Sequence, residues 1–336
     1  MDAAKARAKA AGKEIIDLSL GSSDLPAGDH VLEAIKDSLY DPSTHGYSLF
    51  QSTQPFRKAV AEWFEKKYGI ALDPETEVLT LIGCQEGTAH LPLALLDPGD
   101  LALLQDPSYP SHSGGIHLAG GEIYWLPTLA ENQFLPVFAD IPPEVREKAK
   151  MIVLSYPHNP TTALAPLSFF EEAVQFCKDN DMALVHDFPY GDMVFSGSPA
   201  APSVLQADRA KEISIEFFTF SKSYNMGGFR IAFAVGNKDL ILGLRQVKSV
   251  IDFNQYRGIL NGAIAALKGS QESIQNTVDT YEYRRDVFVE ALKRKGWDVP
   301  KPNATMYLWA KLPPAWEHNS MEFGTKLVEA TGVAGA

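Results

Sequence analysis

The stretch Ile215–Arg230 reads IEFFTFSKSYNMGGFR. Its apolar first part predicts a buried strand over Glu216–Phe220, and Lys222 stands just past the end of that strand. A lysine is rarely placed there for packing, because burying an ammonium group is costly unless it has a partner. A desolvated lysine loses its proton more readily and can attack a carbonyl carbon. The stretch therefore predicts a reactive lysine at a strand end.

The residues around this lysine suit a phosphate group. Thr219 and Ser221 offer hydroxyls, two glycines leave backbone amides accessible, and Arg230 offers a guanidinium. A carbonyl-directed lysine beside phosphate-binding groups points to a cofactor that is both an aldehyde and a phosphate ester, which is pyridoxal phosphate. The alternative is a surface turn in which Arg230 forms an ordinary ion pair. The rest of the sequence is needed to choose between the cofactor site and the surface turn.

Composition narrows the class of protein. At 336 residues the chain is long enough for one large domain and a smaller one. Its net charge of -12 argues against a nucleic-acid partner, and no run approaches the roughly 20 apolar residues of a membrane span. The two cysteines, Cys84 and Cys177, indicate no disulfide framework. They favour a reducing compartment, the cytoplasm or, for a plant protein, the plastid stroma.

Short apolar runs alternate with helical patterns along most of the chain. Such runs, rich in Val, Ile and Leu, predict an α/β fold with a three-layer, mostly parallel sheet covered by helices on both faces. The predicted strands are Val78–Ile82, Leu101–Gln105, Ile123–Leu126, Met151–Ser155, Met182–Asp187, Glu216–Phe220 and Arg230–Gly236. The predicted helices include Phe56–Tyr68, Gly87–Leu96, Ser168–Asn180 and Lys238–Val250.

The two ends of the chain are expected to form a second, smaller α+β domain. The pattern becomes more helical beyond Tyr256, and the long stretch Gln271–Lys295 gives way to a strand-like Thr305–Lys311. We therefore expect residues 46–270 to form the large cofactor-binding domain. Residues 1–45 and 271–336 would supply the N-terminal and C-terminal parts of the small one.

Two further strand ends carry groups that an anionic, aromatic cofactor needs. In open parallel sheets, ligands gather at the carboxyl ends of the strands. Strand Val78–Ile82 leads through Gly83 into a helix, so the amides of Cys84 and Gln85 are expected to face a phosphate; a plain turn is the alternative. Tyr109 follows another strand and could stack on a pyridine ring, although an exposed turn tyrosine explains it equally well.

Polar residues also follow the strands that end at Ser155 and Asp187. Asn159 precedes a proline, which holds it extended, so its amide could donate to the phenolic oxygen of the cofactor. A carboxylate at a buried strand end needs a cationic partner, and the pyridine nitrogen would serve Asp187 in that way; a structural ion pair is the alternative. His186 is interpreted as a core histidine rather than a catalyst.

Together these motifs, in their order along the chain, resemble those of the class I and II aminotransferases, fold type I enzymes that use pyridoxal phosphate. Within that family the chain is similar to the LL-diaminopimelate aminotransferase subgroup, from about Asp17 to Gly332. The resemblance implies that Lys222 bonds the cofactor and shuttles the substrate proton. The other cofactor-binding residues that it implies are Cys84, Gln85, Tyr109, Asn159, Asp187, Tyr190, Thr219, Ser221, Arg230 and Tyr47.

Several of those roles are distinct. By the resemblance, Asp187 pairs with the pyridine nitrogen, and Asn159 and Tyr190 hydrogen-bond the ring oxygen. Tyr47 reaches the phosphate of a neighbouring subunit, which implies a homodimer with shared sites. Gly21 lies near the substrate carboxylate, and Asn159 also faces the substrate. No metal is expected.

The chain departs from the family pattern in three places. Cys84 stands where a serine is more usual, and Gly227 where a threonine is common; we expect little loss from either. The third departure is at the C-terminus. The family continues beyond the position of Ala336 with an arginine that holds the substrate α-carboxylate, so a polypeptide ending there is expected to hold the cofactor but to transaminate poorly.

The expected function is pyridoxal-phosphate-dependent transfer of an amino group from an amino acid to a 2-oxo acid. Glutamate, aspartate and LL-diaminopimelate are the candidate amino donors. The alternatives on the same fold are a carbon–sulfur lyase, a cyclopropane-forming synthase, and a non-catalytic sensor domain that binds the cofactor.

Overall fold

A seven-stranded sheet lies at the centre of the molecule in the computed structural model, which describes residues 1–316 and 319–335. The strands of the sheet are β2 (Val78–Leu81), β3 (Leu101–Asp106), β4 (Glu122–Pro127), β5 (Ala149–Ser155), β6 (Ala183–Asp187), β7 (Ser214–Thr219) and β8 (Ala232–Gly236). They lie in the order β2-β8-β7-β6-β5-β3-β4. Two further short strands, β1 (Ile16–Asp17) and β9 (Val333–Ala334), pair with each other.

Helices cover both faces of the sheet. In chain order, all α-helices of the described residues, including α1 and α11 at the two chain ends, are α1 (Asp2–Ala10), α2 (Asp29–Leu39), α3 (Gln54–Tyr68), α4 (Cys84–Leu95), α5 (Pro110–Leu118), α6 (Pro143–Arg146), α7 (Leu167–Asp179), α8 (Lys238–Ile251), α9 (Arg257–Lys268), α10 (Glu272–Arg294) and α11 (Ser320–Thr331). The predicted α/β fold is confirmed. None of these helices is long and apolar enough to span a membrane.

The sheet buries both of its faces, as the continuous apolar runs predicted. Along β5, Ile152 and Leu154 point into one hydrophobic core, whereas Met151 and Val153 point into a second core on the opposite face. This alternation is the two-residue period of a strand. Each core is completed by the apolar side of the helices that pack on that face, such as Phe170 of α7 on the first.

One strand runs against the others. The pairs that join β4, β3, β5, β6 and β7 are parallel, but β8 is antiparallel to both β7 and β2. A parallel connection needs a long crossover, usually a helix. The segment 220–231 contains only the short 3-10 turn Gly227–Phe229, so the chain reverses directly into β8. The carboxyl end of β7 and the amino end of β8 therefore lie at the same edge.

The two ends of the chain meet in the structure. Strand β1 pairs in parallel with β9, with Ile16 opposite Val333, and α1 packs against α11. Helix α2 instead packs against α9, which belongs to the predicted large domain. The boundaries at 45/46 and 270/271 remain a prediction.

The predicted strand over Thr305–Lys311 is wrong. The described part of this region contains no strand, and the nearest ladder contact is a single bridge between Ala304 and Val194. Thr305 adopts a left-handed φ of 72°, which turns the backbone away from an extended course. The strand-like stretch of the sequence is thus an unpaired segment that brings Tyr307 to the hydroxyl of Tyr190.

Candidate active site

The carboxyl edge of the parallel strands brings most of the predicted site residues together. Asp187 and Thr219 are the last residues of β6 and β7, and Lys222 follows β7 by three residues. Arg230 reaches the same edge because β8 begins there. The connections after β2, β3 and β5 carry Cys84 and Gln85, Tyr109, and Asn159 to this edge.

Lys222 has a largely desolvated ammonium group. Its Nζ donates to the backbone oxygen of Gly21 at 2.5 Å and lies 5.5 Å from the centre of the Tyr190 ring. Burial lowers the pKa of Lys222 below its ordinary value, while the charge of Asp187 opposes the shift. A lysine whose pKa is lowered in this way has a larger neutral, nucleophilic fraction near neutral pH.

Asp187 is a buried carboxylate with only one of its two oxygens paired. Its Oδ2 lies 2.9 Å from Nε2 of His112, and only 5% of the residue is exposed. Its Oδ1 is buried and has no hydrogen-bond partner among the described residues. A buried acceptor left without a donor is costly, so this oxygen is a position where a donor from a ligand would be stabilised.

The start of α4 forms a cradle for an anion. The helix begins at Cys84, after Gly83, and no side chain caps its first amides. Unpaired amides at a helix N-terminus bind phosphate groups well. Arg230 closes the cradle: a Cβ added at Gly83 would lie 2.3 Å from Nη2 of the arginine, so the guanidinium packs directly on this backbone.

The hydroxyls of Thr219 and Ser221 line the neighbouring part of the cradle. Their oxygens are 3.0 Å apart, and the Ser221 amide donates to the Thr219 hydroxyl at 3.1 Å. The Cys84 thiol is buried against Thr219, and burial raises its pKa well above the usual value. Cys84 is therefore a neutral thiol here, which is compatible with a role for its backbone amide alone.

Tyr190 lies beside the lysine, Tyr307 contacts Tyr190, and Tyr109 packs on His112. The hydroxyls of Tyr190 and Tyr307 lie 2.7 Å apart, and their rings meet edge to face at 5.7 Å. Tyr109 is partly exposed and packs edge-on against His112 at 5.8 Å. Burial raises the pKa of all three phenols, so each is a neutral hydroxyl near neutral pH.

The N-terminal segment closes one side of the site through Gly21. A Cβ at this position would lie 2.1 Å from the hydroxyl oxygen of Tyr307, so only a glycine fits without displacing that ring. The backbone oxygen of Gly21 also accepts the hydrogen bond from Lys222, and its predicted place near the substrate carboxylate stays a prediction.

Some of the predicted site residues do not contact the others in the structure. Tyr47 lies 82% exposed, with its ring 5.6 Å from that of Phe253 rather than in the cradle. Gln85 is exposed at the first turn of α4, and Asn159 is half-buried. Asn159 follows β5 at the carboxyl edge, as expected, but no described side chain hydrogen-bonds to its amide.

Two residues of the site were not found by sequence reasoning. His112 could have been: Pro110 begins a helix, and a histidine on its first turn lies close to the preceding strand end. Tyr307 gave no such signal, because it contacts Tyr190 across 117 residues of sequence. His186, interpreted as a core histidine, is fully buried between Glu216 and the backbone oxygen of Tyr156.

Comparison with known proteins agrees with this geometry. The sequence profile of the family "Aminotransferase class I and II" matches residues 13–335. The chain belongs to the class I and II aminotransferases. Like them, it is an enzyme of amino transfer, and the resemblance drawn from its motifs is confirmed.

Among its relatives, this aminotransferase is 44% identical over 328 residues to an LL-diaminopimelate aminotransferase of Dehalococcoides mccartyi, covering 98% of the chain and 84% of that protein. Among solved structures, a probable N-succinyldiaminopimelate aminotransferase from Thermus thermophilus is similar with a TM-score of 0.93 and 43% identity, over 99% of this chain and 88% of that one. The substrate-bound BacF structure from Bacillus subtilis gives a TM-score of 0.94 at 36% identity, over 98% and 83%.

Proposed function

We propose that this aminotransferase binds pyridoxal phosphate at the carboxyl edge of its sheet and uses Lys222 to move an amino group from an amino acid to a 2-oxo acid. The observation that carries the proposal is the buried, unpartnered Oδ1 of Asp187 close to a desolvated lysine. A protonated pyridine nitrogen is the donor that this oxygen needs, and bound pyridoxal phosphate withdraws electrons from a substrate carbon through its ring.

The rest of the site fits the same group. The open N-terminus of α4, the guanidinium of Arg230 and the hydroxyls of Thr219 and Ser221 suit a phosphate. Tyr190 and Asn159 are the proposed donors to the ring oxygen, and the half-exposed ring of Tyr109 is free to stack on the pyridine face. The phosphate cradle would also use the amides of Cys84 and Gln85.

The roles of the chain's own residues follow from their chemistry. Lys222 would hold the aldehyde group of the cofactor, and in its neutral form it would be the base that removes and returns the substrate α-proton. His112 donates to Asp187 and keeps that carboxylate oriented. The neutral phenols of Tyr190 and Tyr307 exclude water from one side of the lysine.

The proposed amino donor carries the diaminopimelate skeleton. Two of the relatives, at 44% and 43% identity, are named for LL-diaminopimelate and for N-succinyldiaminopimelate. We propose LL-diaminopimelate or its N-succinyl derivative as donor and 2-oxoglutarate as acceptor. Both of these relatives are named as aminotransferases, which favours amino transfer over the lyase, synthase and sensor alternatives.

A homodimer with shared sites is part of the proposal. Tyr47 and Phe253 are exposed side chains whose rings lie 5.6 Å apart, and Tyr40 and Val250 are 82% and 84% exposed. Large exposed apolar patches mark interaction sites. In the proposed dimer a second copy of the chain covers Tyr47 and Phe253, and Tyr47 reaches toward the phosphate cradle of the partner. The free, buried thiols of Cys84 and Cys177 support a reducing compartment such as the cytoplasm.

The visible absorbance of the purified protein with pyridoxal phosphate tests the proposal. Wild type is expected to show a visible band that shifts when LL-diaminopimelate is added. Sodium borohydride is expected to fix the cofactor covalently to the wild-type protein. Lys222→Ala should retain cofactor through the phosphate cradle but lose both the covalent fixation and the turnover. Fixation in Lys222→Ala equal to that of wild type would refute the assignment of Lys222.

A further inference from the structure

Tyr307 contacts the site through one hydrogen bond that affects what Tyr190 can do. The hydroxyls are 2.7 Å apart, and either oxygen could be the donor from geometry alone. Each phenol has one proton to donate. If Tyr190 gives its proton to Tyr307, it has none left for a ligand. If Tyr307 donates instead, the proton of Tyr190 is free to point into the site.

The fold fixes this pair from behind. The amide of Thr305 donates to the Met193 oxygen at 2.8 Å, and the amide of Phe195 donates to the Asn303 oxygen at 2.9 Å. These two bonds tie the segment that carries Tyr307 to the turn that follows Tyr190. The close approach of Gly21 to the Tyr307 hydroxyl holds the ring from the other side.

We propose that Tyr307 is a positioning residue, which donates its proton to the Tyr190 oxygen and so directs the single proton of Tyr190 toward the ring oxygen of the cofactor. The inference rests on the proposed function. A phenol that accepts one hydrogen bond is a stronger donor in the next, because successive bonds polarise one another. Tyr307 thus strengthens a contact that it does not itself make.

The charged and titratable groups that face Tyr190 do not compete for this role. Lys222 lies over the face of its ring, at 5.5 Å, rather than at its hydroxyl. Asp187 and Tyr109 influence Tyr190 through their charge, whereas Tyr307 is the only described side chain that hydrogen-bonds to the Tyr190 hydroxyl. Because burial raises the pKa of both Tyr190 and Tyr307, neither phenol ionises near neutral pH.

The test measures the visible band of the holoenzyme as a function of pH. The midpoint of that titration reports how well the site stabilises negative charge on the ring oxygen of the cofactor, since a weaker donor lets protonation persist to higher pH. Tyr190→Phe is expected to raise the midpoint most. Tyr307→Phe, which deletes one oxygen, should raise it in the same direction by a few tenths of a unit.

The double variant makes the test specific. If Tyr307 acts through Tyr190, adding Tyr307→Phe to Tyr190→Phe should cause no further shift. Tyr124→Phe, at a half-buried tyrosine of β4, is the matched control and should leave the midpoint at the wild-type value. An unshifted midpoint in Tyr307→Phe, or shifts that add in the double variant, would overturn the proposal.

Two further measurements separate the possible failures. Gly21→Ala keeps both tyrosines but places a methyl group where the Tyr307 hydroxyl lies, so its midpoint should rise as in Tyr307→Phe. An unchanged midpoint in Gly21→Ala would also count against the proposal. If wild type forms no pH-dependent band with pyridoxal phosphate, the proposed function itself fails, and the inference about Tyr307 fails with it.

Discussion

Nε2 of His112 lies 2.9 Å from one oxygen of Asp187, while the other oxygen of the same carboxylate is buried without a partner among the described residues. Because a carboxylate can only accept hydrogen bonds, Nε2 is the donor of this pair. The histidine therefore fixes which oxygen of Asp187 remains available. One oxygen of Asp187 is held by His112 and the other is left for a ligand, so the loss of the histidine should affect ligand binding.

His112→Phe should weaken cofactor binding. The substitution keeps an aromatic ring against Tyr109 but removes the donor to Asp187, and a hydrogen bond to a charged group contributes about 1.5–3 kcal/mol. The dissociation constant for pyridoxal phosphate should rise roughly ten-fold or more, as measured by titration of the visible band. His117→Phe, at an exposed histidine of the same helix, is the control; equal constants for the two variants would contradict the role of His112.

Gly83→Ala should displace Arg230 from the phosphate cradle. An added Cβ would lie 2.3 Å from Nη2 of the arginine, and the residue also has a φ of +82°. The matched control is Gly99→Ala, because Gly99 has a similar φ of +89° but nothing within 4 Å of an added Cβ. Both variants should lose about 1 kcal/mol of stability through backbone strain. Only Gly83→Ala should lose affinity for pyridoxal phosphate and for free phosphate as its competitor.

The sequence predicted the positions of Lys222 and Asp187 well because both follow apolar runs that end abruptly in polar residues. Such local patterns identify the carboxyl edge of a parallel sheet without knowledge of the strand order. The reversed direction of β8 was not predicted, since periodicity does not distinguish parallel from antiparallel strands. The contact of Tyr307 was missed, and the strand over Thr305–Lys311 was wrongly predicted, for a related reason. Their environment is set by Val194 and Tyr190, which lie more than a hundred residues away.

Acid should destabilise the protein partly through His158. Its ring is fully buried, with Nδ1 2.6 Å from the Thr161 hydroxyl, and burial lowers its pKa to about 4. An unfolded histidine titrates near pH 6.5, so below that value the unfolded chain binds the additional proton. The contribution of the neutral His158 ring to the free energy of unfolding is therefore fully present above about pH 6.5 and is lost as the pH falls through 4.

Urea unfolding near pH 7 and near pH 4 measures this effect. The difference in unfolding free energy between the two conditions should be smaller in His158→Gln than in wild type by up to about 3 kcal/mol. His117→Gln should retain the wild-type difference. An identical decline in His158→Gln and wild type would show that this histidine is not the group being protonated.

Lys248→Met should destabilise the fold strongly. The Lys248 ammonium is buried in α8 and donates to Glu86 at 2.5 Å, to Asp252 at 3.0 Å and to the backbone oxygen of Phe253 at 2.9 Å. Removing one partner of a buried ion pair leaves an uncompensated charge and costs about 3–5 kcal/mol. Lys238→Met, at the exposed start of the same helix, should change the unfolding free energy by less than about 0.5 kcal/mol.

A compensating change distinguishes charge from packing in this cluster. The double variant Lys248→Met/Glu86→Leu removes both members of the main pair, and replacing a buried pair by apolar groups is often neutral. It should therefore be more stable than Lys248→Met alone in the same unfolding assay. A double variant that is less stable would mean that Lys248 acts mainly through Asp252 and Phe253.

The pairing of β1 with β9 has a consequence for the order in which the molecule is built. Ile16 has its partner at Val333, so the segment that leads to Gly21 is held in place by residues near the opposite end of the chain. During synthesis all seven strands of the central sheet leave the ribosome before that partner does. The sheet that leads to Lys222 can thus form while the segment of Gly21, whose backbone oxygen meets the Lys222 ammonium group, still lacks the β9 strand that anchors it.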